Sequence, residues 1–383
     1  MLLKYLKEQE SIRLMLLLRK HLWTLIFLAV VMTAGKVARA DMFGFTNYNP
    51  YTKEERNSSL KEVPLYLKNY RADMRSNLMM LIRYAKQQNH DFKILVHEGQ
   101  DLLNKSLWEY SREGYNRARK FIDAEDDYFL FHQDYLDKEP KRGTLAYQYL
   151  NSIDAVVLNN LYCGKGEVSK IAKKHGLDLI SIEYCADEEA LNEAYVGAYV
   201  DNRSIYAFTD LQKAFKTIDR YESINDSSKN IYDIKEAQNI LIINDDSLYD
   251  TQEKMVDDLS KTNYDIIVIK PLFAYKERFS LANLNKLHFK KNGSKRLLIA
   301  EFNVSEASPK EYYWQNDWKI GSPDWLVRRS FSSKDGIITK FWRLEWKKII
   351  SRYFRDVLNE GFDGVLFTGV ENYDYFEQQN PLE

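Results

Sequence analysis

The amino-acid sequence predicts one (β/α)8 TIM barrel over residues 41–383, and three observations carry that prediction. Eight short runs rich in Val, Ile and Leu recur along the chain, and segments patterned like amphipathic helices separate them. Near-continuous apolar strands suit a parallel sheet covered on both faces, because neither side of such a strand meets water. No internal repeat or low-complexity linker divides the 383 residues, a length that fits one large barrel. An open doubly wound sheet shows the same alternation and is the alternative.

Residues 1–40 read as a signal peptide, with basic residues, an apolar core at Leu22–Ala34 and small residues at Ala38 and Ala40 before Asp41. The core is short of the ~20 residues a membrane helix needs, so cleavage and export to the periplasm or medium are expected. A membrane contact is expected only if the segment stays uncleaved. Next come a helix over 72–88 and a strand over 92–98 (FKILVHE), then strands over 155–160 and 178–183 flanking a helix over 166–176. Strands over 203–208, 239–244 and 265–270 follow, with a helix over 251–262 between the last two. The final elements are strands over 296–302 and 364–369 and a helix over 345–361, which Gly361 stops. The polar stretch 220–230 leaves four strands on each side, which fits two halves of one barrel.

Hydrophobic residues make up 45% and charged residues 29%, a globular composition with an unusual aromatic share of 14%. Without residues 1–40 the chain keeps 48 basic against 54 acidic residues, a net charge of −6. No basic excess remains to neutralise phosphates, so a nucleic-acid partner is excluded. An exported chain with two cysteines, Cys163 and Cys185, is expected to join them, two unpaired thiols being the alternative. No second Cys or His stands at ligand spacing beside either one, so no metal is expected, and no cofactor is expected.

In a barrel, the C-terminal strand ends face the active-site mouth. They supply His97, Glu98, Asn159, Asn160, Glu183, Asp210, Asn244, Asp245, Lys270, Glu301, Asn303, Glu306, Thr368 and Glu371. Aromatics such as Tyr162, Tyr184, Tyr312, Tyr313, Trp314, Trp342 and Tyr373 lie close by in sequence. Carboxylates among aromatic platforms suit a saccharide, since rings stack on a sugar face and two carboxyl groups cleave a glycosidic bond.

The ordered series NYDIIVIKPLFAYKERFSLANLNKL, RLLIAEFNVSEASPKEYYWQNDW, SPDWL, KFWRLEW and GFDGVLFTGVENYDYFE resembles the endo-α-1,4-polygalactosaminidase group, glycoside hydrolase family 114. The resemblance implies a glycosidase acting on an amino-sugar-containing polysaccharide or oligosaccharide, with Glu306 as catalytic acid/base or nucleophile. The segments RADMRSNLMMLIRYAKQQNHDFKILVHEG, YLNSIDAVVLNNLY and LISIEYCADEEALNEAY also match, but precede the others where the family places them last. The chain therefore reads as a circular permutant, with residues 47–51 near 372–377 and strand 92–98 beside strand 364–369.

Family acids are replaced by Lys270, Thr368 and Ser308, so Glu306 needs a new carboxylate partner, with Glu371 and Glu98 first in order. Glu301 is either such an acid or a structural one inside the barrel, and Asp363 is read as a structural turn. Lys270, Tyr313, Trp314, Trp342, Asn159, Glu183, Thr368 and Tyr373 are the expected substrate contacts. Two rival readings are a degenerate barrel that binds glycans in an envelope or exopolysaccharide role, and a chemistry using Lys270 as base or Schiff-base amine.

Overall fold

A computed structural model describes residues 68–105, 109, 139–218, 225–331 and 333–379. The expected signal peptide and residues 47–51 lie outside the described residues.

All eight expected strands form: β1 Lys93–His97, β2 Ala155–Asn159, β3 Asp178–Tyr184, β4 Ser204–Phe208, β5 Ile240–Ile243, β6 Ile266–Ile269, β7 Leu297–Asn303 and β8 Gly364–Thr368. They hydrogen-bond in parallel in the order β4-β3-β2-β1-β8-β7-β6-β5. A parallel bridge between Ile205 and Asn239 brings the two ends of that series together, so the sheet is a nearly closed barrel. Strand β1 lies beside β8, with Leu95 opposite Leu366 and Val96 opposite Phe367. Strands β2, β4, β5, β6 and β8 are buried along their whole length, which explains why they carry no polar alternation.

The helices with both ends among the described residues are α1 Tyr70–Gln88, α2 Leu145–Leu150, α3 Lys170–His175, α4 Glu188–Val200, α5 Gln252–Ser260, α6 Leu281–Leu287, α7 Leu344–Glu360 and α8 Asn372–Gln378. Six begin at a residue whose side-chain oxygen accepts a free backbone N–H: Asn69, Thr144, Ser169, Asp187, Thr251 and Ser280. Such a cap contributes about 1 kcal/mol, so the polar residue before each apolar pattern fixes where the helix starts. Gly361 ends α7 with φ 100°, a left-handed conformation that a side chain would strain. Helix α1 packs against α2, α7 and α8, so it fills the place between β8 and β1. Arg71 of α1 pairs with Glu377 of α8 at 3.1 Å, and the rings of Tyr70 and Phe376 stand 5.5 Å apart.

Asp363 sits at the N-terminal face, as its turn sequence predicts. Its Oδ2 accepts from Leu298 N (2.8 Å), its N–H donates to Leu298 O, and its carbonyl accepts from Lys93 N, so one residue ties the starts of β7, β8 and β1.

Between β7 and α7 the chain makes an excursion over the opposite face. It contains a three-stranded antiparallel sheet of Glu306–Ala307, Leu326–Arg329 and Ile337–Thr339. An aromatic series, Trp314, Trp318, Trp325 and Trp346, supports it with successive ring centroids 5.3, 5.0 and 5.5 Å apart. Each such pair contributes roughly 0.5–1.5 kcal/mol beyond its buried area, which explains how a long loop keeps one shape.

Candidate active site

Strand alternation sends Phe302 outward against Tyr353 and Phe354 and leaves Glu301 facing the barrel axis. There Glu301 meets the ends of three other strands. Thr368 Oγ1 of β8 donates to its Oε1 (3.4 Å), Asn244 just past β5 donates as well, and Lys270 just past β6 faces it electrostatically. Burial pushes the Glu301 carboxyl above its usual range; Lys270, Asn244 and Thr368 pull it back only in part, and the charge of Glu306 pushes it further up. Its Oε2 is buried without a hydrogen-bond partner.

Lys270 donates to the Tyr275 hydroxyl (2.7 Å), and its ammonium lies 3.9 Å from the centre of that ring. Burial opposes its charge, but Tyr275, Glu301 and Glu311 outweigh burial and hold the ammonium above its ordinary range. A lysine kept charged is a poor base or Schiff-base amine.

Tyr275 reaches Lys270 from a strained turn. Leu272–Phe273 and Glu277–Arg278 pair as a short hairpin, and Lys276 N closes onto Phe273 O at 3.1 Å. The residues between, Ala274 and Tyr275, have φ of 48° and 65°. Asn-Gly or Gly-Gly ordinarily fills such positions, and a non-glycine residue there costs on the order of 1–2 kcal/mol. Asp246 Oδ2 secures the turn by accepting from Ala274 N at 2.6 Å.

Glu311 comes from the excursion, and sequence reasoning did not find it. Burial pushes its carboxyl up to about 7, with Glu301 and Asp246 acting in the same sense, while Lys270 and the Tyr353 hydroxyl act against. Its Oε2 is also buried without a partner. Tyr312, Tyr313 and Tyr353 pack around this segment, with centroids 5.3 Å apart for Tyr312–Tyr353 and 6.1 Å for Tyr313–Tyr353.

Glu306 is 6% exposed. Its Oε1 accepts from Ser330 Oγ (2.7 Å) and Asn372 Nδ2 (3.1 Å), and its Oε2 accepts from Asn303 Nδ2 (3.3 Å). Gly336 lies against the same carboxylate, where a Cβ would stand 2.6 Å from Oε2. Glu306 is thus within electrostatic reach of Glu301, but polar groups from α8 and the excursion hold it in place.

The other expected partners serve loops. Glu98, itself at φ 60°, accepts from Asn159 N (3.0 Å), and Glu371 accepts from Gly99 N (3.3 Å), which joins the loops after β1, β2 and β8. Glu183 is fully buried and accepts from the backbone of Leu161, Tyr162 and Cys163. That loop carries the disulfide between Cys163 and Cys185, whose Cα atoms are 5.1 Å apart. Asn159 Oδ1 accepts from His97 Nε2 (3.2 Å), and burial lowers the imidazole to about 4, so it stays neutral near pH 7. Trp342 packs on Tyr70 and Phe376, and Tyr373 lies under Arg71, both between α1 and α8. Tyr313 supports the Glu311 segment, and Trp314 belongs to the tryptophan series. Among the described residues no group of three or more His, Cys, Asp or Glu side chains is arranged to hold a metal ion. Among them, too, no helix is long and apolar enough to cross a membrane.

No known family model matches the chain. It is 29% identical over 160 residues to an uncharacterized protein of Methanocaldococcus jannaschii, covering 39% of this chain and 45% of that one. An uncharacterized protein of Thermotoga maritima is 27% identical over 84 residues, 22% of this chain and 26% of that one. One of Deinococcus radiodurans is 31% identical over 78 residues, 20% and 25% respectively. The matches span less than half the length of each of these relatives.

Proposed function

We propose that this chain is an exported glycoside hydrolase of the endo-α-1,4-polygalactosaminidase type, acting on an amino-sugar-containing polysaccharide. One observation carries the reading: at the barrel mouth two half-buried glutamates, Glu301 and Glu311, flank a charged lysine, each with one buried carboxyl oxygen left without a partner. Burial lifts both carboxyls, Glu311 to about 7, so near neutral pH Glu311 retains a proton part of the time, as a general acid needs. The protonated member donates to the leaving glycosidic oxygen. The ionised member takes a proton from water as its oxygen bonds to the anomeric carbon, or attacks that carbon itself, according to their separation in the substrate complex. Glu306, the acid retained from the family resemblance, fixes the excursion over this pair and contributes negative charge beside Glu301. Turnover of a galactosamine-containing polysaccharide that disappears in Glu301→Gln and in Glu311→Gln supports the reading. Undiminished turnover in either variant refutes it.

A second reading, glycan binding without turnover, is favoured by the way Asn303, Ser330 and Asn372 occupy Glu306. Binding retained in both variants with no hydrolysis in the parent chain selects it. The disulfide supports export, since such bonds persist in oxidising compartments. Recovery of the reduced chain from the cytoplasm alone would count against it. The circular permutation is part of the same proposal, and it is supported by α1 standing between β8 and β1 with Arg71 paired to Glu377. A chain joined from residue 379 to 68 by a short linker and reopened within 220–224 is expected to fold with an unchanged circular-dichroism spectrum.

A further inference from the structure

A cavity of about 790 Å3 opens at the N-terminal face, opposite the mouth, among the starts of β1, β7 and β8 and the segments leading into β5 and β7. Arg296 lines it and is 2% exposed. The guanidinium donates to Thr262 Oγ1 and to the carbonyls of Thr262 and Phe289, yet its Nε is buried without a partner and none of these bonds goes to a carboxylate. A buried cation without a bonded anion is costly: burial lowers Arg296 to about 9, and the charge of Asp265, which is bonded to Lys290, offsets this only in part. Lys295 adds a second positive charge at the rim, standing 5.6 Å from the centre of the Tyr232 ring. Four acids line the cavity: Asp233 pairs with Lys93 at 2.9 Å and Asp363 with His288 at 3.2 Å, Glu236 accepts from the backbone of Tyr232 and Asp233, and Asp91 is exposed to solvent beside His90. Two aromatic side chains of this rim, Tyr232 and Phe289, are 58% and 44% exposed, and the backbone of Lys295 bridges to Phe289 and bonds Ile231 N between them.

We propose that this face carries a second ligand site, for an anionic pyranose: a sugar ring bearing a carboxylate or a phosphate. The volume falls within the range of small-molecule sites. The buried guanidinium offers a fixed donor to an oxyanion, Lys295 offers a charge at the entrance, and the exposed rings offer flat apolar faces to the sugar. The proposal is independent of the chemistry at the mouth.

Calorimetric titration of the full disulfide-bonded chain with glucuronate, glucose 6-phosphate, glucose and inorganic phosphate tests it. At least one acidic sugar is expected to bind with a Kd in the millimolar range or tighter, about ten-fold or more ahead of both glucose and phosphate. The tighter of the two acidic sugars identifies the anion. Tyr232→Ala and Lys295→Ala, both at exposed positions, are each expected to weaken binding about five-fold or more, as is Arg296→Lys, which keeps the charge and removes Nε. If Arg296→Lys unfolds, the two surface variants decide. Glu301→Gln is expected to leave the affinity unchanged, and its loss there would place the sugar at the mouth and overturn the proposal. So would failure of both acidic sugars to bind, binding matched by phosphate or glucose, or affinity unmoved in both surface variants.

Discussion

Replacing Glu311 by Gln separates what the site gains in chemistry from what it costs in stability. Glu311 ionises at about 7 instead of its ordinary 4.5. Between those values the folded chain holds a proton that the unfolded chain has released, so this carboxyl makes stability fall as pH rises from about 4.5 through 7. Each pH unit of displacement corresponds to about 1.36 kcal/mol, so charging Glu311 costs the fold at most ~3 kcal/mol at pH 8; access of water to the mouth reduces this to roughly 1–3 kcal/mol. Gln has nearly the same shape and keeps an oxygen for the Tyr353 hydroxyl, but never charges. Glu311→Gln is therefore expected to match the parent chain at about pH 4.5 and to exceed it by roughly 1–3 kcal/mol at pH 8. Urea unfolding reads this as a midpoint gain of a few tenths of a molar to about 1 M at pH 8 only. Glu360, also lifted by burial to about 7, contributes its own fall, as do other buried acids, so the measured quantity is the difference between the two chains. Equal gains at both pH values, or none at pH 8, would refute the electrostatic account of Glu311. The same variant is expected to lose at least about a hundred-fold in hydrolysis, the usual contribution of a positioned acid.

Three further outcomes follow from the same structure. Reducing the Cys163–Cys185 bond, which closes a sequence separation of 22, is expected to lower stability by about 3 kcal/mol on the chain-entropy model; an unchanged urea midpoint with dithiothreitol counts against that role. Ala274→Gly relieves one left-handed backbone position and is expected to stabilise by a few tenths to about 1 kcal/mol, while a loss of stability would show that the turn carries no strain there. Glu306→Gln exchanges an acceptor for an amide that presents a donor to Ser330, Asn372 or Asn303, so a loss of roughly 1–3 kcal/mol is expected with a smaller effect on hydrolysis than Glu301→Gln. Hydrolysis abolished by Glu306→Gln at unchanged stability would make Glu306 the reacting group instead.

The barrel was legible because its determinants are local and repeated. Every strand is an apolar run that owes its burial to the parallel sheet, and the polar caps that start helices sit beside the patterns they start, so element ends fall within a few residues of those read from sequence. The strand-end rule also named Lys270, Asn244, Glu301 and Thr368, which do converge at the mouth. It also named Trp342 and Tyr373, which pack between α1 and α8; nearness in sequence to a strand end does not say which side of a short helix a ring occupies, and α8 turns Tyr373 toward Arg71. Glu311 and Tyr275 were not legible for a different reason. Both lie in non-repeating loops, where position is set by long-range packing of tyrosines and tryptophans and by two backbone angles that ordinary residues avoid. The strained Ala274–Tyr275 turn matters most here, because nothing in the isolated hexapeptide Leu272–Glu277 would favour it. Asp246 from the loop after β5 and Lys270 from the end of β6 hold that turn by hydrogen bonds to Ala274 N and the Tyr275 hydroxyl. The strain is thus borne by the same lysine that faces both candidate acids, and loosening the turn should be felt at Glu301 and Glu311 before it is felt in the core.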